Sequence, residues 1–224
     1  MTMLAEYHLT AHEQYSERIR QMKPREANQV FTVGSLSVDN IKNTPLYDRE
    51  ELARRFHVTT SKFVLVTYHP DTIKSRDENI KDFQRVLEAI SSQVQYEYIF
   101  TFANQDSTGM EFNRMIMEFK GPRDRVRYIR YCGVELYLSL MSHAEMVLGN
   151  SSSGIMEAPY YGTPTVNIGR RQTGRVMVES VNSIPCENDT IVEAIQGAIP
   201  FSSCGEYGDG AVDNIVNQLR RIVC

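Results

Sequence analysis

Residues 146–154, which read MVLGNSSSG, give the clearest indication of the fold of this chain. Residues 146–148 are a short apolar run typical of a buried strand, and residues 154–161 are a helix candidate. Gly149 and Gly154 bound the turn between them. A buried strand that leads through a tight turn into a helix is the repeating unit of a parallel α/β sheet, so this segment predicts that class of fold.

The same alternation of strand-like and helix-like segments extends along the chain from about residue 47. Short runs of β-branched and aromatic residues predict further strands at 63–67, 96–102, 126–129 and 165–168. A last strand or loop edge is predicted at 176–180. Apolar residues at helical spacing predict helices at 47–56, 78–93, 109–120, 134–142, 189–198 and 211–222. The predicted fold class is therefore α/β, a Rossmann-like three-layer arrangement around a parallel sheet of up to six strands.

Three regions are distinguished along the chain. Residues 46–205 form the predicted Rossmann-like domain, and residues 206–224 are a C-terminal helix that follows the glycine-rich stretch GEYGDG. Residues 1–45 contain a helix candidate at 12–22, a short strand at 30–34 and a turn region at 34–40. This first region has too few apolar residues to form a core of its own. We therefore expect it to pack on another element, such as a domain that this chain lacks.

Composition excludes several functional classes. The formal net charge is −4, with 24 Lys and Arg against 28 Asp and Glu, so a basic surface for nucleic acid is not expected. No apolar run approaches the roughly 18–20 residues of a membrane span, and no secretory signal precedes the first helix candidate, so a cytoplasmic protein is expected. The four cysteines lack a CxxC pair and suit reduced thiols rather than a metal cage; they are Cys132, Cys186, Cys204 and Cys224.

Polar or glycine-rich sequences follow four of the predicted strands. The segments at the opposite strand ends are shorter and have fewer polar and charged residues. Ligands of open α/β sheets bind beyond the carboxyl ends of the strands, so one edge of the sheet is the expected binding site. His69 follows the first of these strands and the pair Asn104 and Asp106 follows the second. Residues 149–154 follow the third, and residues 169–175, GRRQTGR, follow the fourth.

The loop at 149–154 is predicted to bind phosphate. Its glycines allow a ligand to approach the backbone, and serine hydroxyls and N–H groups at a helix start can donate to an anion. A serine that only caps the helix is the alternative. No Gly-Lys-Ser/Thr follows, so ATP hydrolysis is not indicated. The candidate residues in this loop are Gly149, Asn150, Ser151, Ser152 and Ser153.

The remaining candidates each leave two interpretations open. Glu157 suits a ribose hydroxyl pair, or is an acidic residue favoured by the helix dipole alone. His69 is a ligand contact or a structural histidine. One of Arg170, Arg171 and Arg175 is expected to contact a diphosphate while the others form a solvated face. Asn104 and Asp106 contact a polar ligand or form an Asx cap on the next helix.

Several of these motifs together resemble the UDP-N-acetylglucosamine 2-epimerase family. They are His69-Pro70 after a strand, residues 149–159 (GNSSSGIMEAP), residues 162–175 (GTPTVNIGRRQTGR) and the N-terminal residues 33–41 (VGSLSVDNI). The stretch from Arg171 to Arg175 is similar to the hydrolysing branch, which makes N-acetylmannosamine for sialic acid synthesis. The Arg-x-x-x-Arg-Pro-Glu pattern of the non-hydrolysing branch is absent.

This resemblance implies a GT-B-type fold of two Rossmann-like domains, of which the chain matches only the C-terminal half. Residues 1–45 then resemble the interdomain connector and a remnant of the first domain, which would carry the acid and base catalysts. The resemblance implies that His69, Ser151, Ser152 and Arg171 hold the UDP diphosphate and that Glu157 holds the ribose. Main chain near residues 131–134 would lie against the uracil.

The implied reaction eliminates UDP from UDP-N-acetylglucosamine, and water then adds to the glycal. His69 and Arg171 would assist departure of the diphosphate, with no cofactor or metal. The chain alone is expected to be inactive and to form homo-oligomers, because a half-cleft leaves apolar area unburied. A donor-binding half of a UDP-sugar glycosyltransferase and a non-catalytic nucleotide-sugar-binding module are the alternatives.

Overall fold

A computed structural model describes residues 2–58, 61–122, 125–202 and 205–223. The chain divides into two compact units, one formed by Met1–Thr44 with Gly205–Cys224 and the other by Pro45–Cys204. Two of the four cysteines, Cys204 and Cys224, lie outside the described residues. The functional roles assigned to residues 1–45, 46–205 and 206–224 stay predictions.

The N-terminal segment of the first unit contains two short parallel strands and two helices. They are β1 (His8–Thr10), α1 (Glu13–Met22), β2 (Val30–Thr32) and α2 (Leu36–Asn43), with a 3₁₀ turn at Pro24–Gln29. Strand β1 was not predicted, and three residues are too few to give a periodic signal. β2 is shorter than the predicted 30–34.

The second unit alternates helices and strands as predicted. Its elements are α3 (Arg49–Phe56), β3 (Phe63–Thr67), α4 (Arg76–Ser91), β4 (Glu97–Thr101), α5 (Ser107–Glu118), β5 (Val126–Ile129), α6 (Gly133–His143), β6 (Met146–Gly149), α7 (Ser153–Met156), a 3₁₀ turn (Ala158–Tyr161), β7 (Thr165–Ile168), β8 (Val181–Ile184) and α8 (Asn188–Gly197). The chain closes in the first unit with α9 (Ala211–Val223).

One local prediction is wrong, and another is decided between its two alternatives. The turn region at 34–40 is largely helix α2, whose Asp39 carboxylate accepts hydrogen bonds from the N–H groups of Gly210 (2.7 Å) and Val212 (2.8 Å) at the start of α9. A contact between residues so distant in sequence leaves no local pattern. Of the two alternatives for residues 176–180, the loop is correct and the strand is wrong, because it is Val181–Ile184 (β8) that pairs with β7.

The six strands of the second unit form one parallel sheet in the order β5-β4-β3-β6-β7-β8. Successive residues of β3 face opposite layers. Val64 and Val66 join one core cluster with side chains from α4, α5 and α8, whereas Phe63 and Leu65 join another with side chains from α3 and α6. A sheet buried on both faces by helices confirms the predicted α/β three-layer class.

Capping boxes fix the start of the two helices that flank β3 in sequence. Ser75 accepts from the N–H of Glu78, whose carboxylate accepts from the N–H of Ser75. Asp48 and Glu51 make the same reciprocal pair at the start of α3. Each pair satisfies N–H groups that a helix leaves without an intrahelical partner. The pair at Ser75 therefore fixes the residue at which the loop after β3 ends and α4 begins.

The described residues lack two features that would indicate other classes of protein, a membrane-spanning helix and a cluster of metal ligands. None of their helices combines the length and apolarity needed to cross a bilayer. Among the same residues, no group of three or more His, Cys, Asp or Glu side chains could hold a metal ion. Cys132 and Cys186 are free thiols, and burial raises their pKa values to about 12 and about 11, so they stay protonated at neutral pH.

Candidate functional site

The loop at residues 149–154 runs directly against the ends of neighbouring strands. Gly149, the last residue of β6, has φ +147°, and a Cβ there would lie 2.0 Å from the carbonyl oxygen of Thr67 on β3. A Cβ at Gly154 would lie 2.7 Å from Cγ2 of Thr165 on β7. Neither position has room for a side chain, so both glycines are needed to bring the loop this close to the sheet.

Asn150 ties this loop to the segment after β3. Its side chain is only 2% exposed in the folded chain. Oδ1 of Asn150 accepts from the N–H of His69 at 2.7 Å, and Nδ2 donates to the carbonyl of His69 at 2.8 Å. The two bonds fix the backbone of His69. Asn150 is therefore placed as a support for the site, with both ends of its amide already used by protein groups.

The carbonyl of Asn150 accepts hydrogen bonds from two side chains of the loop that follows β7. Nη1 of Arg171 donates to it at 3.1 Å and Nε2 of Gln172 donates at 2.8 Å. The loops after β3, β6 and β7 are therefore joined around a single asparagine. This arrangement brings His69, the serine loop and Arg171 to one place at the carboxyl edge of the sheet.

The imidazole of His69 is largely buried, and its Nδ1 is inaccessible to solvent with no hydrogen-bond partner among the described residues. Desolvation by burial lowers the pKa of His69 to about 4, and the nearby Arg171 charge adds to that effect, while Asp106 opposes it. The ring is therefore neutral at pH 7. A neutral imidazole can donate one hydrogen bond and accept one, but it brings no positive charge to the site.

Ser151 and Ser152 differ at the start of α7, because the N–H of Ser153 reaches Oγ of Ser151 at 3.4 Å but no N–H of the described residues reaches the Ser152 hydroxyl. Ser152 occupies the N-cap position with helical dihedral angles, φ −63° and ψ −23°, and makes no side-chain capping bond. The capping alternative is therefore wrong for this residue. Helix α7 has only four residues, so few peptide dipoles are aligned there. The donors available to an anion are the hydroxyls and N–H groups of the loop, rather than a strong helix dipole.

Glu157 lies at the C-terminal end of α7. It is also the N-cap of the 3₁₀ turn Ala158–Tyr161, where a carboxylate is favoured, so the helix-dipole alternative for Glu157 stays open. The side chain is partly buried, and its charge adds to the burial that raises the pKa of Tyr161 to about 12. Glu157 therefore lies close to Tyr161, one helical turn beyond Ser153.

The three arginines after β7 have different environments. Only Arg171 reaches the serine loop. Arg175 is held by Gln172, with Nε donating to Oε1 at 2.6 Å, and by Met156, with Nη1 lying 3.1 Å from Sδ. Arg170 is exposed and lines a separate depression of about 360 Å³ beside Lys74. Arg170 fits the expected solvated face, whereas Arg175 does not, because it is partly buried and held by Gln172 and Met156. Contact of Arg171 with a diphosphate stays a prediction.

The segments after β4 and β5 contribute less. Asp106 accepts from the N–H of Gly109 at 2.7 Å and caps α5, which is the structural alternative raised for it. The Asn104 side chain is exposed. Tyr131 and Val134 flank the start of α6 and are exposed by 81% and 54%, so this surface is open to a planar ring.

Three site residues were missed in the sequence. Gln172 is 4% exposed and bonds to Asn150, which its place within GRRQTGR could have suggested. The hydroxyl of Tyr137 on α6 contacts Ser153 of the serine loop, and the hydroxyl of Thr67 on β3 contacts Tyr137. They lie in ordinary apolar helix and strand patterns, and nothing local distinguishes them from core residues.

The family model described as UDP-N-acetylglucosamine 2-epimerase matches residues 1–220. The GDP/UDP-N,N'-diacetylbacillosamine 2-epimerase (hydrolyzing) of Campylobacter jejuni is 32% identical over 183 residues, which cover 81% of this chain and 47% of that protein. The polysialic acid biosynthesis protein P7 of Escherichia coli is 31% identical over 232 residues, which cover 100% of this chain and 59% of that protein.

Among solved structures, the Neisseria meningitidis UDP-GlcNAc 2-epimerase bound to UDP-GlcNAc superposes with a TM-score of 0.73 at 17% identity. The match covers 98% of this chain and 62% of that one, and it confirms the likeness to one half of a GT-B-type fold. The chain thus spans about half to three fifths of the length of these proteins, consistent with the predicted match to a C-terminal half. With a family match that extends over nearly all of its residues, the chain belongs to the UDP-N-acetylglucosamine 2-epimerase family.

Proposed function

We propose that this chain is the nucleotide-binding half of a hydrolysing UDP-N-acetylglucosamine 2-epimerase. In this proposal the diphosphate of UDP contacts His69, Ser151, Ser152 and Arg171, and Glu157 accepts hydrogen bonds from the ribose hydroxyls. Gly149, Asn150 and Ser153 shape the loop. The observation that best supports this proposal is that three loops at strand ends meet at the carbonyl and side chain of Asn150.

The chemistry of elimination suits this set of groups. The C1–O bond of the sugar breaks, a proton leaves C2, and the electron pair of the C2–H bond forms the double bond of the glycal. Negative charge grows on the departing diphosphate, where the Arg171 guanidinium and the serine hydroxyls meet it. Preorganised donors of this kind are each worth about 3 kcal/mol in the transition state.

The remaining steps need groups that we place on a first domain. A base there removes the C2 proton, and water adds to the glycal to give N-acetylmannosamine and free UDP. His69 is uncharged before the ligand binds, so its part is to donate one hydrogen bond to a diphosphate oxygen. Without a partner domain, we expect this chain to bind UDP weakly and to turn over no substrate.

The sugar is the least constrained part of the proposal. One relative is named for polysialic acid biosynthesis, which supports N-acetylmannosamine as the product. Another is named for GDP- or UDP-linked diacetylbacillosamine, which is a different sugar on either of two nucleotides. The proposal for this chain therefore specifies contacts to the diphosphate and the ribose and none to the sugar.

Calorimetric titration with UDP tests the nucleotide site. Arg171→Ala should weaken UDP binding by about tenfold or more, because a hydrogen bond to a charged group contributes roughly 1.5–3 kcal/mol. Arg170→Ala is the matched control, since it removes the same charge from an exposed neighbour outside the serine loop. Equal losses for the two variants, or no heat with the unmodified chain at millimolar UDP, would refute the site.

An activity assay tests the reaction. The chain is mixed with UDP-N-acetylglucosamine, alone and together with a separately expressed first domain from a relative. We expect free N-acetylmannosamine only in the mixture that contains both parts. Transfer of the sugar to an acceptor without inversion at C2 would instead support the glycosyltransferase alternative.

A further inference from the structure

Five hydroxyl groups form a continuous line beneath the serine loop. Thr101 Oγ1 on β4 lies 2.9 Å from Thr67 Oγ1 on β3, which lies 3.3 Å from the phenol oxygen of Tyr137. The Tyr137 oxygen lies 2.6 Å from Ser153 Oγ, and Ser153 Oγ lies 2.9 Å from Ser151 Oγ. The line therefore begins at the end of the sheet and stops at a serine proposed to border the diphosphate.

The direction of donation along this line decides what Ser151 can offer a ligand. Ser151 Oγ accepts the hydroxyl proton of Ser153 and is also approached by the N–H of Ser153, at 3.4 Å. Its own single proton is then left to point away from the line. If donation ran the opposite way, Ser151 would give its proton to Ser153 and would face the ligand with lone pairs.

We propose that Tyr137 is a positioning residue for anion binding, which holds the Ser153 and Ser151 hydroxyls in the donating orientation. This inference rests on the proposed UDP site. Tyr137 donates to Ser153, Ser153 donates to Ser151, and Ser151 donates to a diphosphate oxygen. Tyr137 itself need not touch the nucleotide.

Tyr137 is the strongest donor in the line and stands at its centre. A phenol gives up its proton more readily than an aliphatic hydroxyl, so it favours donation toward the serines. Burial raises the pKa of Tyr137 above its usual value, so the proton is retained at neutral pH. Hydrogen bonds arranged in one direction also polarise one another, which strengthens the last donor.

The test is Tyr137→Phe, which removes one hydroxyl and keeps the ring. Affinities for UDP and for uridine are compared in the full chain by NMR titration. We expect UDP binding to fall about fivefold to tenfold, the loss of one hydrogen bond, while uridine binding is unchanged because uridine has no phosphate. An equal loss for uridine would mean that the substitution distorts the site, and this would overturn the proposal.

Tyr98→Phe is the matched control. Tyr98 is fully buried near the amino end of β4, and its hydroxyl donates to the carbonyl of Gln93 at 3.2 Å. This variant should lose a comparable hydrogen bond without any change in UDP affinity. A loss of UDP affinity equal to that of Tyr137→Phe would contradict a specific role for the hydroxyl line.

A double-mutant cycle separates this inference from the proposed function. If Tyr137 acts through Ser151, Tyr137→Phe should have no further effect on UDP binding in a Ser151→Ala background, and full additivity would overturn the inference. Ser153→Ala breaks the same line at the next hydroxyl and gives the same readout if Tyr137→Phe does not fold. Failure of the unmodified chain to bind UDP would refute the nucleotide site itself, whereas binding unaffected by Tyr137→Phe would refute only the positioning role.

Discussion

At the scale of single residues, Gly149 is the most constrained position of the candidate site. Gly149→Ala places a Cβ 2.0 Å from the Thr67 carbonyl oxygen, on a backbone with φ +147°. We expect the free energy of unfolding to fall by about 3 kcal/mol or more, because strain and overpacking each cost roughly 1–3 kcal/mol. Urea denaturation measures the loss.

Gly169→Ala separates the two causes. Gly169 also has positive φ, +80°, but a Cβ there would meet no atom within 4 Å. This variant should show the conformational cost without the clash, and a smaller loss than Gly149→Ala. Equal losses at the two positions would contradict the close packing of the serine loop against β3.

His69 should make the stability of the chain depend on pH. Its pKa is about 4 in the folded chain, against 6.5 as its ordinary value. Between these values the unfolded chain binds a proton that the folded chain does not, so the free energy of unfolding decreases as the pH falls from 6.5 to 4. The loss reaches roughly 3 kcal/mol below pH 4, and it is absent above pH 6.5.

The variant His69→Gln identifies this contribution. Urea denaturation without nucleotide, at several pH values between 7 and 4, should show a shallower loss of stability for the variant than for the unmodified chain. Parallel curves for the two proteins would indicate that another group causes the acid sensitivity.

Some residues of the candidate site could be predicted from the sequence and others could not. The glycine-bounded serine loop and Arg171 follow strands in a visible pattern, because strand ends and glycine turns are local features. The roles of Asn150 and Tyr137 depend on bonds to His69 and to Ser153, which are made only when separate strands and helices meet. That Asn150 supports the neighbouring loop, rather than offering a free donor to a ligand, can be recognised only from the folded structure.

At the scale of elements, three stacked rings join α4 and α5 to the sheet. The ring centroids of Phe83 and Phe112 are 4.5 Å apart, and Tyr68 lies 5.4 Å from Phe83. Phe112→Ala should lower the free energy of unfolding by about 3–5 kcal/mol, because it leaves a cavity in a fully buried cluster. The urea midpoint is the measurement.

Met110→Ala provides a comparison on the same helix. Met110 is 59% exposed, so its truncation should change stability by about 0.5 kcal/mol or less. If Phe112→Ala cost no more than this control, the stacked rings would not be part of the core.

Element prediction succeeded where each segment carries its own periodicity. The buried strands β3 and β6 and the amphipathic α4 were predicted within a few residues at each end. Helix α2 and strand β8 were missed or misplaced for a shared reason. Each depends on a partner distant in sequence, the start of α9 for α2 and β7 for β8.

At the scale of the whole molecule, α9 motivates the predicted self-association. Four apolar side chains repeat at helical spacing and are exposed by 40–80%; they are Val212, Val216, Leu219 and Val223. The occupant that we expect is a second copy of the chain, because antiparallel pairing about residues 217–218 sets Val212 of each copy opposite Val223 of the other and Val216 opposite Leu219. Light scattering should give a mass above the 25.7 kDa of one chain.

Leu219→Glu tests the same face by adding a charge to its centre. We expect the variant to shift toward the mass of one chain. A strictly monomeric unmodified chain at high concentration would contradict self-association.

UDP is proposed to bind at the carboxyl edge of the sheet, with its diphosphate between the serine loop and Arg171. A crystal structure of the chain with UDP tests it most directly. We expect diphosphate oxygens within hydrogen-bond distance of Ser151, Ser152 and the Arg171 guanidinium, and ribose hydroxyls at Glu157. UDP bound at the opposite edge of the sheet, or bound with no contact to the serine loop, would contradict the account.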